Sequence, residues 1–591
     1  MAMDSKPPST SPLDFRSLVR FATGRVLVLV VALCVLVQLF RGLWWIINLY
    51  LIAPPFDPLR HLPGPDASRL SNHFNEVMDP ERTPQTHEDW IKRFGKTFRY
   101  HGFGAHDYRL MTFDLRALSY VLNSQTFERP WQTRRLLSQL LGQGVFAMEG
   151  EKHRIQRRIM APAFTSNALK DLAPVMFQKV AEELRDRWLP MVDDGQRSKW
   201  DFIIAELQEQ QPTKDEAGIE CLEKSANKGA IIDITHWVLR ATLDVIGLTG
   251  FDYAFRALET ETEEVYLAYR ILFHSVENGP DFKRIAELFF PIIEKLLPDE
   301  GLRRRNAALK IIKRKGEEII KSKKQALLAR IATPKDIWDK DILSLLIKAN
   351  LSEDPSTRLS DSELLDQIST FLFAGSDTTN VAISWALYCL ALNPEVQTRL
   401  REEFATCHAD SSSRTGYVDA LDSLPFLDAV VRETLRFAPP AHGTIRVAMK
   451  DEVIPLSEPI MLRTNEFARE VHIRKGSYVH IPIEGLNYSK DIWGEDALVF
   501  RPDRWFSLSA NATHHPGLAN VMSFTFGPHA CIGWRFSLLE MKVFLAALLP
   551  HFVFAPAAEI RKYNTIVTRP YVKDRLGSGS ALPLRVSRYN A

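Results

Sequence analysis

The chain has 591 residues, 46% hydrophobic and 25% charged, the balance of an ordinary globular protein. Its net charge of +2 lacks the strongly basic footprint of a nucleic-acid binder, so no nucleic acid is expected as a partner. Five cysteines, at 34, 221, 389, 407 and 531, are too few and too irregular for a disulfide framework or a zinc site, and they fit a reducing compartment.

Residues 1–25 form a polar tail carrying Lys6, Arg16 and Arg20. From Val26 to Phe40 only Gln38 is polar, and Arg25 and Arg41 bracket the run. Trp44 and Trp45 follow and suit a membrane interface, so a helix from Val26 to about Ile47 would span a bilayer, with 26–52 as anchor and interfacial segment. The rival reading is a cleaved signal peptide, but no small-x-small site follows closely. The basic residues before the span, taken alone, put the N-terminus in the cytosol. Residues 53–65 hold five prolines and read as a stiff, extended connector to a globular part, 66–591.

Phe98 to Asp114 reads as two short strands with a turn. Gly150 to Phe164 is a basic helix in which His153 and Arg157, four apart, share a face; a solvated basic face is the alternative. Ser166 to Val192 is an amphipathic helix, 193–229 a polar, exposed insertion, and Ile231 to Leu248 an apolar helix. Helices continue to Ala332, broken near Gly279-Pro280 and Pro298. The basic stretch from Arg303 to Lys324 is either solvated or membrane-facing.

Ser360-Asp-Ser-Glu363 is a capping-box start for a long apolar helix that Asn393-Pro394 stops. Within it lies Phe371-Leu-Phe-Ala-Gly-Ser-Asp-Thr-Thr379, poor material for a helix interior. The Thr378 hydroxyl can bond the Ala374 carbonyl and open a notch, with Gly375 leaving room. A notch with a hydroxyl and the Asp377 carboxylate is what protonation of activated oxygen needs. The alternative is a Gly-kinked core helix with a satisfied acid. Pro425 opens another helix, ending before Pro439-Pro440, in which Glu433 and Arg436 can pair. Ala441 to Val447 is a strand, and Ile473 to Pro482 alternates like one arm of a hairpin. Asn350, Asn487 and Asn511 each begin an Asn-x-Ser/Thr triplet.

In Phe524-Thr-Phe-Gly-Pro-His-Ala-Cys-Ile-Gly533, Gly527 and Gly533 frame Cys531 and let the backbone come close to something flat and bulky. A thiolate offered from such a turn under Phe524 suits the axial position of a haem iron, with turn N–H groups on the sulfur. A buried free cysteine is the plainer alternative. The helix from Trp534 to Leu549 aims its positive end at the sulfur.

This stretch resembles the haem-binding signature of the cytochrome P-450 family, Phe-x-x-Gly-x-Arg-x-Cys-x-Gly, with His529 in place of the arginine. The helix at 371–379 resembles the family's oxygen-binding helix, Ala-Gly-x-Asp-Thr-Thr. The resemblance, over about residues 54–590, implies a mainly α fold with a smaller β lobe, and haem b between a long central helix and the Cys531 loop. It implies Thr378 as proton donor at the iron and Asp377 as relay. It places Ala374 and Gly375 at the oxygen groove, and His153, Arg157, Arg446 and His529 at the haem propionates. It makes Glu433, Arg436 and Arg504 a structural triad. The implied activity is insertion of one oxygen atom from O2 into a lipophilic molecule: a terpenoid, sterol, fatty acid or polycyclic aromatic. Electrons would come from NADPH through a separate reductase, or from cytochrome b5 as a second donor. The implied location is the endoplasmic reticulum membrane, single-pass, catalytic domain cytosolic, against the orientation the charges give. Pro455-Leu-Ser-Glu-Pro459 resembles fungal members, which serve secondary metabolism or xenobiotic oxidation. The rival functions are a haem-thiolate isomerase or dehydratase, and a non-catalytic membrane haem sensor.

Overall fold

A computed structural model describes residues 54–590 except 68–71, 105, 177–180, 196–197, 211–228, 278–281, 291, 332–340, 351–357 and 407–418, together with 29, 32, 33, 36–44, 47, 48 and 52. The helices that carry the argument are α1 (Gly150–Met160), α2 (Ile234–Phe251), α3 (Asp361–Leu392), α4 (Pro425–Phe437) and α5 (Trp534–Leu548). The axis of the molecule is α3, whose 32 residues make a rod of about 48 Å. Its start is the predicted capping box: Ser360 accepts from the Glu363 N–H while the Glu363 side chain accepts from the Ser360 N–H. Helix α2 is apolar almost all round and is accordingly buried on nearly every side against α3. Helices α4 and α5 pack on α3 from other directions.

The β part is smaller. Strands β1 (Thr97–His101), β2 (Tyr108–Thr112), β3 (Phe127–Glu128), β5 (Thr444–Ala448) and β8 (Tyr478–Ile481) form one sheet in the order β1-β2-β8-β5-β3. Only β2 and β8 run parallel in it. Strands β4 (Ala230–Asp233), β9 (Phe552–Pro556) and β12 (Pro583–Arg588) make a second, antiparallel sheet. Hairpins β6 (Glu452–Met461) with β7 (Phe467–Ile473), and β10 (Ile560–Asn564) with β11 (Thr568–Val572), complete the lobe.

Three expectations are corrected. The proline-rich segment is not extended throughout: Pro54–Phe56 and Pro58–His61 are 3-10 turns, with Leu59 and Leu62 buried. Its prolines start turns because their fixed φ and missing N–H suit a first helical position. Of the helix expected over 166–192, Ser166–Val175 and Glu182–Asp193 are α-helical, and residues 177–180 between them lie outside the described residues. The polar insertion begins with a helix, Lys199–Gln210, that buries Trp200 and Ile204 one turn apart; residues 211–228 lie outside the described residues. The alternating run from Ile473 to Pro482 is divided between β7 and β8, in different sheets, because the turn at 474–477 interrupts it.

The predicted span from Val26 to about Ile47 lies in large part outside the described residues. Residues 36–44 are helical, and Leu36, Val37, Leu39, Phe40, Leu43 and Trp44 are all exposed there. No helix among the described residues is long and apolar enough to cross a membrane.

Candidate active site

The Cys531 loop is shaped by backbone geometry. Gly527 has φ +80°, and a Cβ there would lie 2.6 Å from the Leu122 carbonyl, so both its conformation and its surroundings demand glycine. The Cys531 N–H donates to the Phe524 carbonyl at 3.0 Å, closing the turn over the buried Phe524. Gly533, at the N-cap of α5, is under no such constraint, but its N–H reaches the Cys531 sulfur. Cys531 keeps accessible surface, yet the protein around it makes burial the largest influence and pushes its thiol up. The Gly533 N–H and the Arg157 charge act in the other direction.

On α3, Thr378 Oγ1 donates to the Ala374 carbonyl at 2.7 Å. Ser376 and Thr370 make the same four-back bond, to Leu372 and Asp366. Between Phe371 and Leu387 only Ala374, Gly375 and Thr378 keep partial exposure, so these three lie on the open face of a buried helix. The room Gly375 leaves is used by α2: a Cβ there would meet Ile246 Cδ1 at 2.9 Å. Asp377 points elsewhere. Its Oδ2 accepts from Arg569 Nη2 on β11 at 2.7 Å, and its Oδ1 has no partner. Burial raises the Asp377 pKa, against the charge and hydrogen bond of Arg569.

The α3 face and the Cys531 loop are neighbours. A Cβ on Gly533 would lie 3.8 Å from the ring of Phe164, whose centroid is 5.8 Å from that of Phe371 on α3. A direct link runs from Thr379 Oγ1 to Ser537 Oγ of α5, 3.3 Å.

Beside the loop sits a cationic cluster. His153 and His529 stack with centroids 4.0 Å apart. Arg157 Nη1 donates to the Ala530 carbonyl at 2.6 Å. Arg446, 3% exposed on β5, donates only to Thr444 Oγ1 and the Ile445 carbonyl and makes no ion pair among the described residues. Burial draws its pKa down to about 9. Two members had no local sequence signal. Arg129 donates to His529 Nδ1 at 3.2 Å and pairs with Glu149 at 3.1 Å; Glu149 Oε2 lies 2.9 Å from His529 Nε2. The Arg129 bond makes Nδ1 an acceptor, so the neutral His529 ring carries its proton on Nε2 and donates to Glu149. Burial lowers both histidines, His153 to about 3, and keeps them neutral at pH 7. Burial also opposes charge on Glu149, but the His529 hydrogen bond and Arg129 outweigh it and hold Glu149 at about 2. Three guanidinium groups thus face one carboxylate, a surplus of two positive charges.

Glu433, Arg436 and Arg504 meet under α4. Arg436 chelates both Glu433 oxygens at 2.8 and 2.9 Å, and Arg504 Nε donates to Oε1 at 3.0 Å. Asn487, singled out only as the start of a triplet, is fully buried, takes the Met522 N–H on its Oδ1 and donates to Ser523. It ties the approach to the Cys531 loop to α4 through the Ser523 bond to the Leu435 carbonyl.

The donor set fits an iron porphyrin. One thiol on a glycine-shaped loop could take the iron, and the surplus of two cations matches two propionates.

A profile of the cytochrome P-450 family matches residues 215–571. Cytochrome P-450 monooxygenase 205 of Postia placenta is 38% identical over 546 residues, 90% of this chain and 93% of its own. Cytochrome P-450 monooxygenase 128 of the same fungus is 37% identical, covering 91% and 94%. Cytochrome P-450 monooxygenase claP of Ampulloclitocybe clavipes is 30% identical, covering 88% and 90%.

Proposed function

The chain belongs to the cytochrome P-450 family, and from that premise we propose that it inserts one oxygen atom of O2 into a lipophilic small molecule, with electrons from NADPH through a separate reductase. When bound, the haem supplies the oxygen-activating and C–H-oxidising chemistry. The chain's own residues do the rest. Cys531 would bind the iron, with the Gly533 N–H on its sulfur. Arg157 and Arg446, each without a carboxylate partner among the described residues, would bind the propionates, and His529 would act there through Glu149 and Arg129. The observation that carries the reading is the Thr378 hydroxyl, tethered to the Ala374 carbonyl on the open face of α3. The tether fixes the hydroxyl at the groove, where it would give up its bond to Ala374 to act as proton donor, and Asp377, on its ion pair with Arg569, would pass protons to it from behind.

Residues 26–52 would anchor the domain 66–591 to the endoplasmic reticulum membrane from the cytosolic side. The apolar side chains exposed along residues 36–44 support this, since a helix without a polar face needs an apolar medium. A bilayer would also deliver the lipophilic substrate. The exposed Lys152 and Arg158 of α1 give an acidic reductase a surface to meet.

The test is a reduced, carbon-monoxide-bound spectrum, followed by turnover with a reductase on ligands that perturb the ferric Soret band. A red-shifted thiolate Soret band with NADPH- and O2-dependent product is expected. Turnover of a peroxide without reductase would favour the isomerase, and binding without turnover the sensor. Thr378→Ala should leave the spectrum intact and lower product per NADPH.

A further inference from the structure

An open pocket of about 380 Å³ lies beside the cationic cluster, between the helix Trp131–Leu141 and the start of α1. Trp131, Arg134, Arg135 and Ser138 line one side of it. Their spacing puts all four on one face of that helix, while Leu137, Leu140 and Leu141 turn inward and are buried. Met148, Glu149 and Gly150 form the other side.

The charges around this pocket do not cancel. Arg134 pairs with Glu128 at 3.1 Å, and Glu149 is taken by Arg129 and His529. Arg135 is left over. It is half-buried, makes no ion pair or hydrogen bond among the described residues, and its Nε is sealed from solvent. A guanidinium sunk among protein atoms without a counterion is costly until an anion meets it. The start of α1 adds a second demand for negative charge. Glu149 stands at its N-cap but makes no side-chain cap bond, because its carboxylate is held by Arg129 and His529. The first-turn N–H groups, at the positive end of the helix, are left without a side-chain cap. A Cβ on Gly150 would meet nothing within 4 Å, so the space at that end is open.

One surplus positive charge with a planar fork of donors matches a carboxylate. A phosphate dianion would bring twice the charge that is left. The walls say what the carboxylate is attached to. Trp131 is 42% exposed and is met edge-on by Phe289, with centroids 5.2 Å apart, and Met148 across the pocket is half-buried. An indole and a thioether suit a flat aromatic ring.

We propose that this pocket is a second ligand site, taking an aromatic monocarboxylate with its charge on Arg135 and the start of α1 and its ring on Trp131. Glu149 is a wall of the pocket and a member of the propionate cluster, so an occupant touches the residue that holds Arg129 and His529. The site is separate from whatever substrate the oxygen groove accepts.

The test is calorimetric titration of the full-length holoenzyme with naphthoate, after imidazole has saturated the iron and blocked the groove above it. One saturable site is expected. Arg135→Ala should weaken it roughly 10- to 100-fold, as for a lost charged hydrogen bond, with Arg135→Lys in between. Naphthylmethanol, which lacks the charge, should bind weakly and no differently to wild type and Arg135→Ala. Trp131→Ala should weaken naphthoate several-fold, and circular dichroism should show every variant folded. Equal affinity in wild type and Arg135→Ala, or loss of binding once imidazole fills the groove, would overturn the proposal. So would displacement by inorganic phosphate with an affinity indifferent to Trp131→Ala, which marks a plain anion site. The Arg135 comparison reads binding alone and stands whatever the protein turns over.

Discussion

Glu433 and Glu149 are both buried carboxylates held between cationic side chains, and they differ in whether the charge around them is used up. Glu433 receives five N–H donors, from Arg436 twice, Arg504, the Arg501 backbone and the Trp505 ring. The remaining arginine protons go to the carbonyls of Asn487, Trp493, Ala497 and Val499, and to Asp496. Nothing is left over to bind a ligand. Around Glu149 the hydrogen bonds also close, through Arg129 and His529, but Arg157 and Arg446 stand beside it with only neutral acceptors. A closed network holds helices together, and an open one holds a guest.

Four changes would break or sharpen that contrast. The largest effect is expected from Glu433→Ala, which strands two buried guanidinium groups. A cost of about 3–5 kcal/mol should leave little soluble protein, checked by expression yield and urea melts. Arg446→Ala should do the reverse: an intact fold by circular dichroism, but haem bound roughly 10- to 100-fold more weakly, from about 1.5–3 kcal/mol for a lost charged hydrogen bond. If Arg446→Ala unfolds the protein instead, the two networks are of one kind.

The third concerns acid. Burial holds His87 at about 3 and His442 at about 4, both below the ordinary value of 6.5. Between pH 6.5 and 4 the unfolded chain therefore binds more protons than the folded one, and stability falls as pH falls. Each such histidine contributes a slope of about 1.4 kcal/mol per pH unit in that window. Burial works against the charge of Glu433, but Arg436 and Arg504 keep its pKa below the ordinary carboxyl value, and Glu149 stays at about 2. His87→Leu, removing a ring whose two nitrogens have no partner, should flatten the pH dependence of urea midpoints by one proton. The smallest effect is expected from His529→Ala, about 1 kcal/mol for bonds to a neutral ring, with haem kept better than in Arg446→Ala.

What the sequence made legible was local. The Thr378–Ala374 bond, the Ser360 capping box, the Gly527–Cys531 turn and the Glu433–Arg436 pair are all set within a few residues, where spacing dictates geometry. The partners that complete the site are far along the chain. Arg569 lies 192 residues from Asp377, and Arg129 lies 400 from His529, with no periodicity to announce either. The 3-10 turns of the proline segment were missed because proline suits both an extended chain and a first helical turn.

Asn487 bears on the cytosolic placement proposed above. Its amide is sealed inside the protein, yet Asn487-Tyr-Ser489 has the Asn-x-Ser pattern of an oligosaccharide acceptor. A sugar attached before folding could never be internalised, and the segment from 521 to 524 would lose the amide that seats it. Threading into a secretory lumen would thus convert a structural side chain into a permanent obstruction, whereas synthesis on the other side of that membrane leaves it bare.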